Sequence, residues 1–299
     1  MERGKVLISI VIPHRNTPEK LCRLLSSIPS LPEIEIVVID DNSDFGKKAN
    51  TLTNKFRHVR FIENPGPEYN AGSARNCGLE VVEGDWILFA DADDYFIYDV
   101  SAGLVSILKS VRPGVDIVFF DVTSRNEAKG EVGVRHKRNS NLLKRYLLDG
   151  CETGLRYHWP GPVAKAIRVD LIRKKCLRFD SVIASNDVMF SQLSGHYARK
   201  VKCVNQVLYC ITESDDSLTA RLTPERALSR LDVMIRSNSN LMKWGVGGRV
   251  NWGATYFLKS RPLTDVRRKL PVYYKYSNYL YKRLWFQFLR VFRDAPIRY

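Results

Sequence analysis

Short apolar runs alternate with helical patterns through the first 125 residues. Val6–Pro13 (VLISIVIP) is almost wholly apolar and rich in β-branched residues, as a strand buried on both faces is. Ile34–Asp40 (IEIVVID), Val59–Glu63, Asp85–Ala90 (DWILFA) and Asp116–Val122 (DIVFFDV) repeat that signature. Between them, Leu21, Leu24, Leu25 and Ile28 recur at helical spacing over Pro18–Ile28, with Thr17 as N-cap and Pro18 in the first turn. Tyr69–Val82 and Val100–Val111 are the next predicted helices. Strand–helix alternation predicts βαβ units and a mainly parallel sheet, hence an α/β domain. Thr123–Asn141 is polar, basic and without period, and predicts a loop. Helices over Asn141–Leu148, Val169–Lys175 and Asn186–Tyr197 and a strand over Lys200–Thr212 follow. From Pro224 the pattern is helical to the C-terminus, with breaks at Gly245–Gly248 and Pro271.

Composition narrows the class. Of 299 residues, 44% are hydrophobic and 26% charged, which excludes a disordered, collagenous or coiled-coil chain. No apolar run approaches the roughly eighteen residues of a membrane-spanning helix, and MERGKVLISIVIP lacks a signal peptide's apolar core and cleavage site. Six cysteines without a C-x-x-C pair predict reduced thiols in a cytoplasmic chain, not a disulfide framework or zinc site. Charge is uneven. Residues 1–110 carry 12 Lys and Arg against 16 Asp and Glu, and residues 111–299 carry 35 against 16. A basic half beside an acidic one suggests an anionic partner and argues against whole-surface coating of nucleic acid.

In parallel sheets, ligands bind beyond the carboxyl ends of the strands. Two acidic clusters fall there: Asp40-Asp41-Asn42-Ser43, and Asp91-Ala92-Asp93-Asp94. Asp91 and Asp93, at i and i+2 leaving a strand, point the same way. Converging carboxylates repel unless a cation lies between them, and oxygen ligands suit Mg²⁺ or Mn²⁺. A solvated turn whose acids cap the helix from Val100 explains those four letters equally well. The first cluster reads as a ribose or base acceptor, or as an Asx turn. In the loop Asn64–Gly78, backbone N–H groups and Arg75 can hold an anion at a helix start, and an ordinary turn is the simpler reading.

In order and spacing, IVIPHRN (Ile10–Asn16), VVIDDNSD (Val37–Asp44), the loop ending GSARNCGL (Asn64–Leu79) and GDWILFADADD (Gly84–Asp94) closely resemble the family 2 glycosyltransferases. The resemblance covers residues 6 to about 125, continues more loosely through Asp187 and fades after about Thr219. It implies a GT-A fold with a Rossmann-like sheet and an inverting, metal-dependent hexosyltransferase using a nucleotide-sugar donor. Pro13 matches the donor-base contact and Asp41 the acid that binds uracil; Arg75 matches the Arg of the family's ARN loop, near base and diphosphate. Arg15 and Ala92 extend the donor-binding set. Asp91 and Asp93 match the D-x-D motif that holds Mn²⁺ or Mg²⁺, Asp93 as direct ligand and Asp91 towards the ribose or a metal-bound water. Past Arg178-Phe179-Asp180, Asp187 matches the catalytic base, while the Glu usually before it is Asn186. As an alternative, Asp187 is only an acid at a helix start, favoured by the dipole. Lys165, in HWPGPVAKAI, reads as a phosphate or acceptor contact, or as a solvated lysine.

The C-terminal extension poses a separate question. At 100° per residue, Tyr274, Tyr281, Leu284, Trp285, Phe288, Val291 and Phe292 share one face. Lys275, Lys282, Arg283, Arg290 and Arg293 take the other, with Tyr279 and Phe286 among them, and Val272–Arg293 contains no acid. This composition suits a helix lying in the plane of an anionic membrane; packing of the aromatic face on the domain is the alternative.

Together these readings divide the chain into a nucleotide-sugar-binding half (1–125), an acceptor-binding half (126–222) and a helical basic-aromatic extension (223–299). The expected activity is transfer from a UDP-sugar to a glycan or lipid-linked acceptor in cell-surface polysaccharide synthesis, at the inner membrane face, with no nucleic acid partner. A nucleotidyltransferase is disfavoured because Pro13-His14-Arg15-Asn16 lacks a Gly-rich phosphate loop. A basic membrane- or nucleic-acid-binding adaptor without transferase activity leaves both acidic clusters unexplained.

Overall fold

The computed structural model describes residues 5–44, 48–159, 161–213, 222–246 and 253–293. The first half is built as the hydrophobic pattern requires. β1 (Ile8–His14) is buried along its whole length and is followed by α1 (Pro18–Ser26), whose Leu21, Leu24 and Leu25 face the core. β2 (Ile34–Asp40), α2 (Lys48–Lys55), β3 (Val59–Glu63), α3 (Ala71–Val81) and β4 (Trp86–Phe89) complete a parallel sheet in the order β3-β2-β1-β4. α2 carries too few apolar residues to announce itself in the sequence. Register aligns Ile8 with Ile34 and His14 with Asp40, and Ile8 with Trp86 on the other side. The ends of β1 and β2 and the segment following β4 therefore open on one edge of the sheet.

The second half continues with β5 (Tyr95–Phe96), α4 (Tyr98–Lys109), β6 (Val115–Asn126), β7 (Glu131–Val132), α5 (Lys137–Asp149) and α6 (Thr153–His158). Then come β8 (Lys165–Arg168), α7 (Val169–Lys174), α8 (Val188–Tyr197) and β9 (Lys200–Glu213). Among the described residues the sheet runs β3-β2-β1-β4-β8-β6-β9-β5, with β7 beside β6. β8 is antiparallel to β4 and β6, and β6 and β9 are parallel. Phe89, Phe179 and Phe190 hold α8 on the sheet, with ring centroids 4.0–5.6 Å apart.

The loop predicted for Thr123–Asn141 is not one. β6 runs on to Asn126 against Glu213 of β9, the chain turns at Gly130 (φ +69°) into β7, and α5 starts at Lys137. The inward positions alternate as Val122 and Ser124, and Ser124 satisfies its hydroxyl on His136 Nδ1 at 2.8 Å. A buried serine breaks the apolar period, and the pairing strand lies far along the chain, so local pattern could not find this strand.

The extension comprises α9 (Pro224–Lys243), α10 (Ala254–Ser260) and α11 (Val266–Arg293). Thr223 caps α9 by accepting the Arg226 N–H. Pro271 does not break the last helix: at its sixth position it forgoes one backbone bond near the start. The face expected to be solvated is the one that packs. Tyr276 and Tyr279 bury against Leu231, Met234 and Ile235 of α9, and the Tyr279 hydroxyl accepts from Asn238 Nδ2 (3.1 Å) and Arg283 (3.0 Å). Partly buried Val272, Tyr273 and Leu280 widen that stripe. Tyr274 and Tyr281, predicted to be on the buried or docking face, are 71% and 72% exposed. The side chains of Leu284, Trp285, Phe286, Phe288, Arg290, Val291, Phe292 and Arg293 lie outside the described ones.

Candidate active site

At the β1–β2 edge, Pro13 is buried within β1 opposite Ile39, while Arg15 is exposed just beyond the strand. His14 is buried and bridges the two strand ends. Its Nε2 accepts the Thr17 N–H (3.1 Å), which leaves Nδ1 to carry the proton towards Asp40 at 3.4 Å. Burial lowers the His14 pKa, against the pull of Asp40. The first acidic cluster divides its tasks. Asp40 closes a turn by accepting the Ser43 N–H, whereas buried Asp41 accepts from Asn64 Nδ2 at 2.7 Å. The same amide reaches Ser73 of α3, so Asp41 is fixed relative to that helix.

The start of α3 is not an open anion site. Asn70 Oδ1 accepts the Gly72 and Ser73 N–H groups at 2.9 and 3.0 Å in a capping box. Arg75 points elsewhere: its guanidinium donates to Asp91 Oδ1 at 2.6 Å and to Asn186 Oδ1 at 3.1 Å, over the Phe179 ring. The loop carrying Phe179 and Asn186 is fastened to α3. Asn76 exchanges two hydrogen bonds with the Phe179 backbone, and a Cβ on Gly72 would stand 2.2 Å from the Asp180 carbonyl oxygen.

The turn Asp91–Asp94 does not cap α4, whose N-cap is Ile97 without a side-chain bond. It is clamped by β9 instead. The Asp91 N–H donates to the Tyr209 hydroxyl (2.8 Å), and Thr212 donates through Oγ1 to the Asp93 carbonyl (2.6 Å) and through N–H to the Asp94 carboxylate (2.8 Å). Arg23 adds a bond to the Asp93 carbonyl. Ala92 is buried in the turn. Burial and the neighbouring carboxylates raise the pKa of Asp93 and lift that of buried Asp94 well above the usual range. Tyr209, Thr212 and Arg23 were not found from sequence; His14 and Asn64 stood inside the quoted motifs without being singled out.

Asp187 is the N-cap position of α8, yet its side chain makes no capping bond into the helix. Burial raises its pKa, Arg75 and Lys165 oppose that rise, and Asp91 adds to it. Lys165, predicted as solvated or ligand-binding, is buried. Arg75, Asp91, Asn186 and Asp187 thus gather at one place. Asp41 is instead tied to the start of α3 through Asn64, and Arg15 makes no hydrogen bond or ion pair among the described residues.

Neighbouring carboxylates that help raise the pKa of Asp93 and Asp94 form a site short of positive charge. Among the described residues no group of three or more His, Cys, Asp or Glu is arranged to hold a metal. Among the described residues the turn offers two carboxylates, Asp91 and Asp93, a set that suits Mg²⁺ or Mn²⁺ when substrate phosphates and water supply the rest.

The sheet brings an acidic strand-end turn, a buried arginine and a helix-start aspartate to one edge, on a mixed α/β fold of the GT-A type. The chain belongs to glycosyl transferase family 2, whose family model matches residues 9–172. Over 92 residues it is 33% identical to the poly(ribitol-phosphate) β-N-acetylglucosaminyltransferase TarP of Staphylococcus aureus, covering 29% of this chain and 28% of that protein. It is 26% identical over 187 residues to the succinoglycan biosynthesis protein ExoU of Rhizobium meliloti (50% and 52% covered). It is likewise 26% identical over 226 residues to the uncharacterized glycosyltransferase EpsJ of Bacillus subtilis (71% and 63%). The matches thus span less than two thirds of these relatives' own lengths. The fold is similar to that of S. aureus TarS 1–349 in complex with UDP-GlcNAc, with a TM-score of 0.62, 19% identity, and 86% of this chain and 71% of that one covered. It is also similar to the Pyrobaculum calidifontis mannosyltransferase PcManGT in complex with GDP-Man and Mn²⁺, with a TM-score of 0.56, 12% identity, and 98% and 77% covered.

Proposed function

We propose that this protein is an inverting glycosyltransferase that moves a sugar from a UDP-sugar to a hydroxyl of a glycan or lipid-linked acceptor in cell-surface polysaccharide synthesis. The observation that carries the reading is the Arg75–Asp91 pair in the charge environment of Asp187. A cation for a departing diphosphate then lies beside a carboxylate that can take a proton. Asp187 accepts the acceptor hydroxyl's proton as that oxygen bonds to the anomeric carbon and the bond to the diphosphate oxygen breaks. Single displacement inverts the anomeric centre. Arg75 stabilises negative charge gathering on the leaving diphosphate. Asp41, Pro13 and Arg15 form the nucleoside end of the donor site, and Asp91 and Ala92 its sugar-phosphate end. Asp93, with Asp91, would hold Mn²⁺ or Mg²⁺, which supplies Lewis-acid neutralisation of the diphosphate when bound.

The bound UDP-GlcNAc in the TarS structure supports a UDP donor, and Mn²⁺ in the mannosyltransferase supports a divalent ion. The names of TarP and ExoU support a polymeric cell-surface acceptor. On this reading residues 1–125 bind the donor, 126–222 the acceptor, and 223–299 form an extension that meets anionic lipid. No helix among the described residues is long and apolar enough to cross a membrane. The extension's support is the outward placement of Tyr274 and Tyr281 beside exposed Lys282.

Calorimetric titration of UDP with and without Mn²⁺, into wild type and Asp93→Ala, tests the donor site. Metal-dependent binding absent from the variant is expected; equal binding in both removes Asp93 from the site. Because the Asp93 pKa is raised and a metal needs the ionised carboxylate, binding weakens with falling pH from above the usual carboxylate range. Asp187→Asn should keep UDP binding and lose turnover of the UDP-sugar selected from a panel.

A further inference from the structure

α9 has two working faces. On one, Leu231, Met234 and Ile235 receive Tyr276 and Tyr279 of α11. On the other, Ser229, Asp232 and Arg236 fall together at helical spacing and meet the segment between Phe179 and α8. Arg236 grips Asp180 as a fork: Nη1 donates to Oδ1 at 3.2 Å and Nη2 to Oδ2 at 2.7 Å. Its Nε donates to Asp232 at 3.1 Å, and Asp232 accepts from Lys275 of α11 at 2.9 Å. Ser229 donates to the Ala184 carbonyl at 3.0 Å, and Gln192 of α8 donates to the Ser237 hydroxyl at 2.9 Å.

The Asp180 N–H donates to the Asn186 carbonyl at 3.0 Å and closes the loop on itself. Inside that closure Ser185 holds a left-handed φ of +63°, a conformation that lasts only where its surroundings fix it. Asn186 Oδ1 then meets Arg75 at 3.1 Å, and Asp187 stands next, at the start of α8. On its other side the loop is fastened to α3, through Asn76 to Phe179 and through the Asp180 carbonyl against Gly72. The loop bearing Asn186 and Asp187 is thus held between α3 of the first half and α9 of the extension. With side chains 34% and 22% exposed, the Arg236–Asp180 pair adds little to stability. What a forked arginine–carboxylate pair supplies is geometry.

We propose that Arg236 is a positioning residue for Asp187, acting through its fork to Asp180, so that the C-terminal extension helps to set the geometry of the active site. The proposal rests on the glycosyltransferase reading, with Asp187 as proton acceptor. Releasing Asp180 frees the α9 side of the loop, while Arg75 keeps its bond to Asp91 and the β9 clamp on Asp91–Asp94 is untouched. The base then drifts from the acceptor hydroxyl while the donor contacts stay, and a displacement of about 1 Å costs about 10²-fold in rate. Arg236 is itself placed by Asp232 and Lys275, so the docking of α11 on α9 reaches the loop through Lys275–Asp232–Arg236–Asp180.

The test uses the full chain as wild type, Arg236→Gln, Arg236→Lys, Asp180→Asn and the double variant of Arg236→Gln with Asp180→Asn. Amide hydrogen exchange, read by mass spectrometry, follows peptides spanning residues 180–191. In Arg236→Gln these should exchange about tenfold faster, with peptides of the sheet unmoved. UDP release from UDP-N-acetylglucosamine, or from the UDP-sugar the panel selects, should fall about tenfold to a hundredfold in kcat, with KM and Mn²⁺-dependent UDP affinity unchanged. Arg236→Lys, which keeps the charge and loses the fork, should recover part of that loss, and it carries the test if the glutamine variant does not fold. The double variant should be no slower than the slower single one, because both break the same contact. Unmoved exchange across 180–191 overturns the proposal, as does wild-type kcat in Arg236→Gln. A parallel fall in UDP affinity and kcat also overturns it, since that marks a general loosening of the fold. Full turnover in Asp187→Asn instead overturns the choice of base, whatever the exchange shows.

Discussion

The Arg75 guanidinium and the Asp91 carboxylate are joined at 2.6 Å across a boundary of burial: the arginine side chain is 6% exposed and the aspartate 42%. The cation is held inside while its partner faces the opening, so an anionic ligand arriving there competes with Asp91 for a prepaid positive charge.

Arg75→Met should therefore harm function more than folding. Loss of a preorganised charge at a leaving group lowers turnover by about 10²–10³. Asp91, left alone, is solvated and not a stranded buried charge, so the stability loss should stay near 1–3 kcal/mol. Turnover of a UDP-sugar and urea unfolding measure the two sides.

Gly72→Ala places a methyl where the Asp180 carbonyl oxygen stands, 2.2 Å away, and must push the 179–187 loop off α3. Destabilisation of about 1–3 kcal/mol is expected, with loss of turnover because Asn186 and Asp187 ride on that loop. Gly103→Ala, in α4 with nothing within 4 Å, should stabilise by about 0.5–1 kcal/mol and leave turnover intact. Equal turnover in the two variants would show that the fastening does not matter.

Lys165 leaves a signature in stability. Its pKa is about 7 in the folded protein against an ordinary 10.5, so between those values the unfolded chain binds the extra proton. Stability from this group rises with pH across that window. Lys165→Met should be more stable than wild type at pH 7, and the gap should narrow by pH 9.5 in urea titrations. A gap independent of pH would mean the folded lysine keeps its ordinary proton affinity.

The outward face of α11 predicts lipid contact through Tyr274 and Tyr281. Replacing both with serine should reduce cosedimentation with phosphatidylglycerol vesicles severalfold and spare UDP binding, since neither side chain packs on α9. Unchanged cosedimentation would assign any binding to the lysines and arginines alone.

Strands buried on both faces were legible because nothing in Val6–Pro13 or Ile34–Asp40 competes with their apolar run. The strand-end acids were legible because they follow such runs directly. Ser124, by contrast, hides half of β6 by being polar and buried, and short β8 became a strand only between β4 and β6. The amphipathic reading of α11 put Tyr274 on the face that docks on membrane or packs on the domain, and Tyr279 with the bases; a tyrosine serves either environment, and α9 decides which one packs. Within the site, Asp91 and Asp93 came from local spacing. Tyr209 and Thr212 did not, since their partners lie 118 and 119 residues away.

That separation has a temporal meaning. A ribosome releases Asp91–Asp94 long before it has made Tyr209 and Thr212, the residues that hold the turn's backbone and its buried Asp94. Until then three like charges share a turn with nothing from β9 to fix it. The amino-terminal βα units can assemble as they emerge, but a nascent chain or fragment stopping near residue 125 carries the acidic motif without its geometry. The donor end of the site is encoded early and completed late.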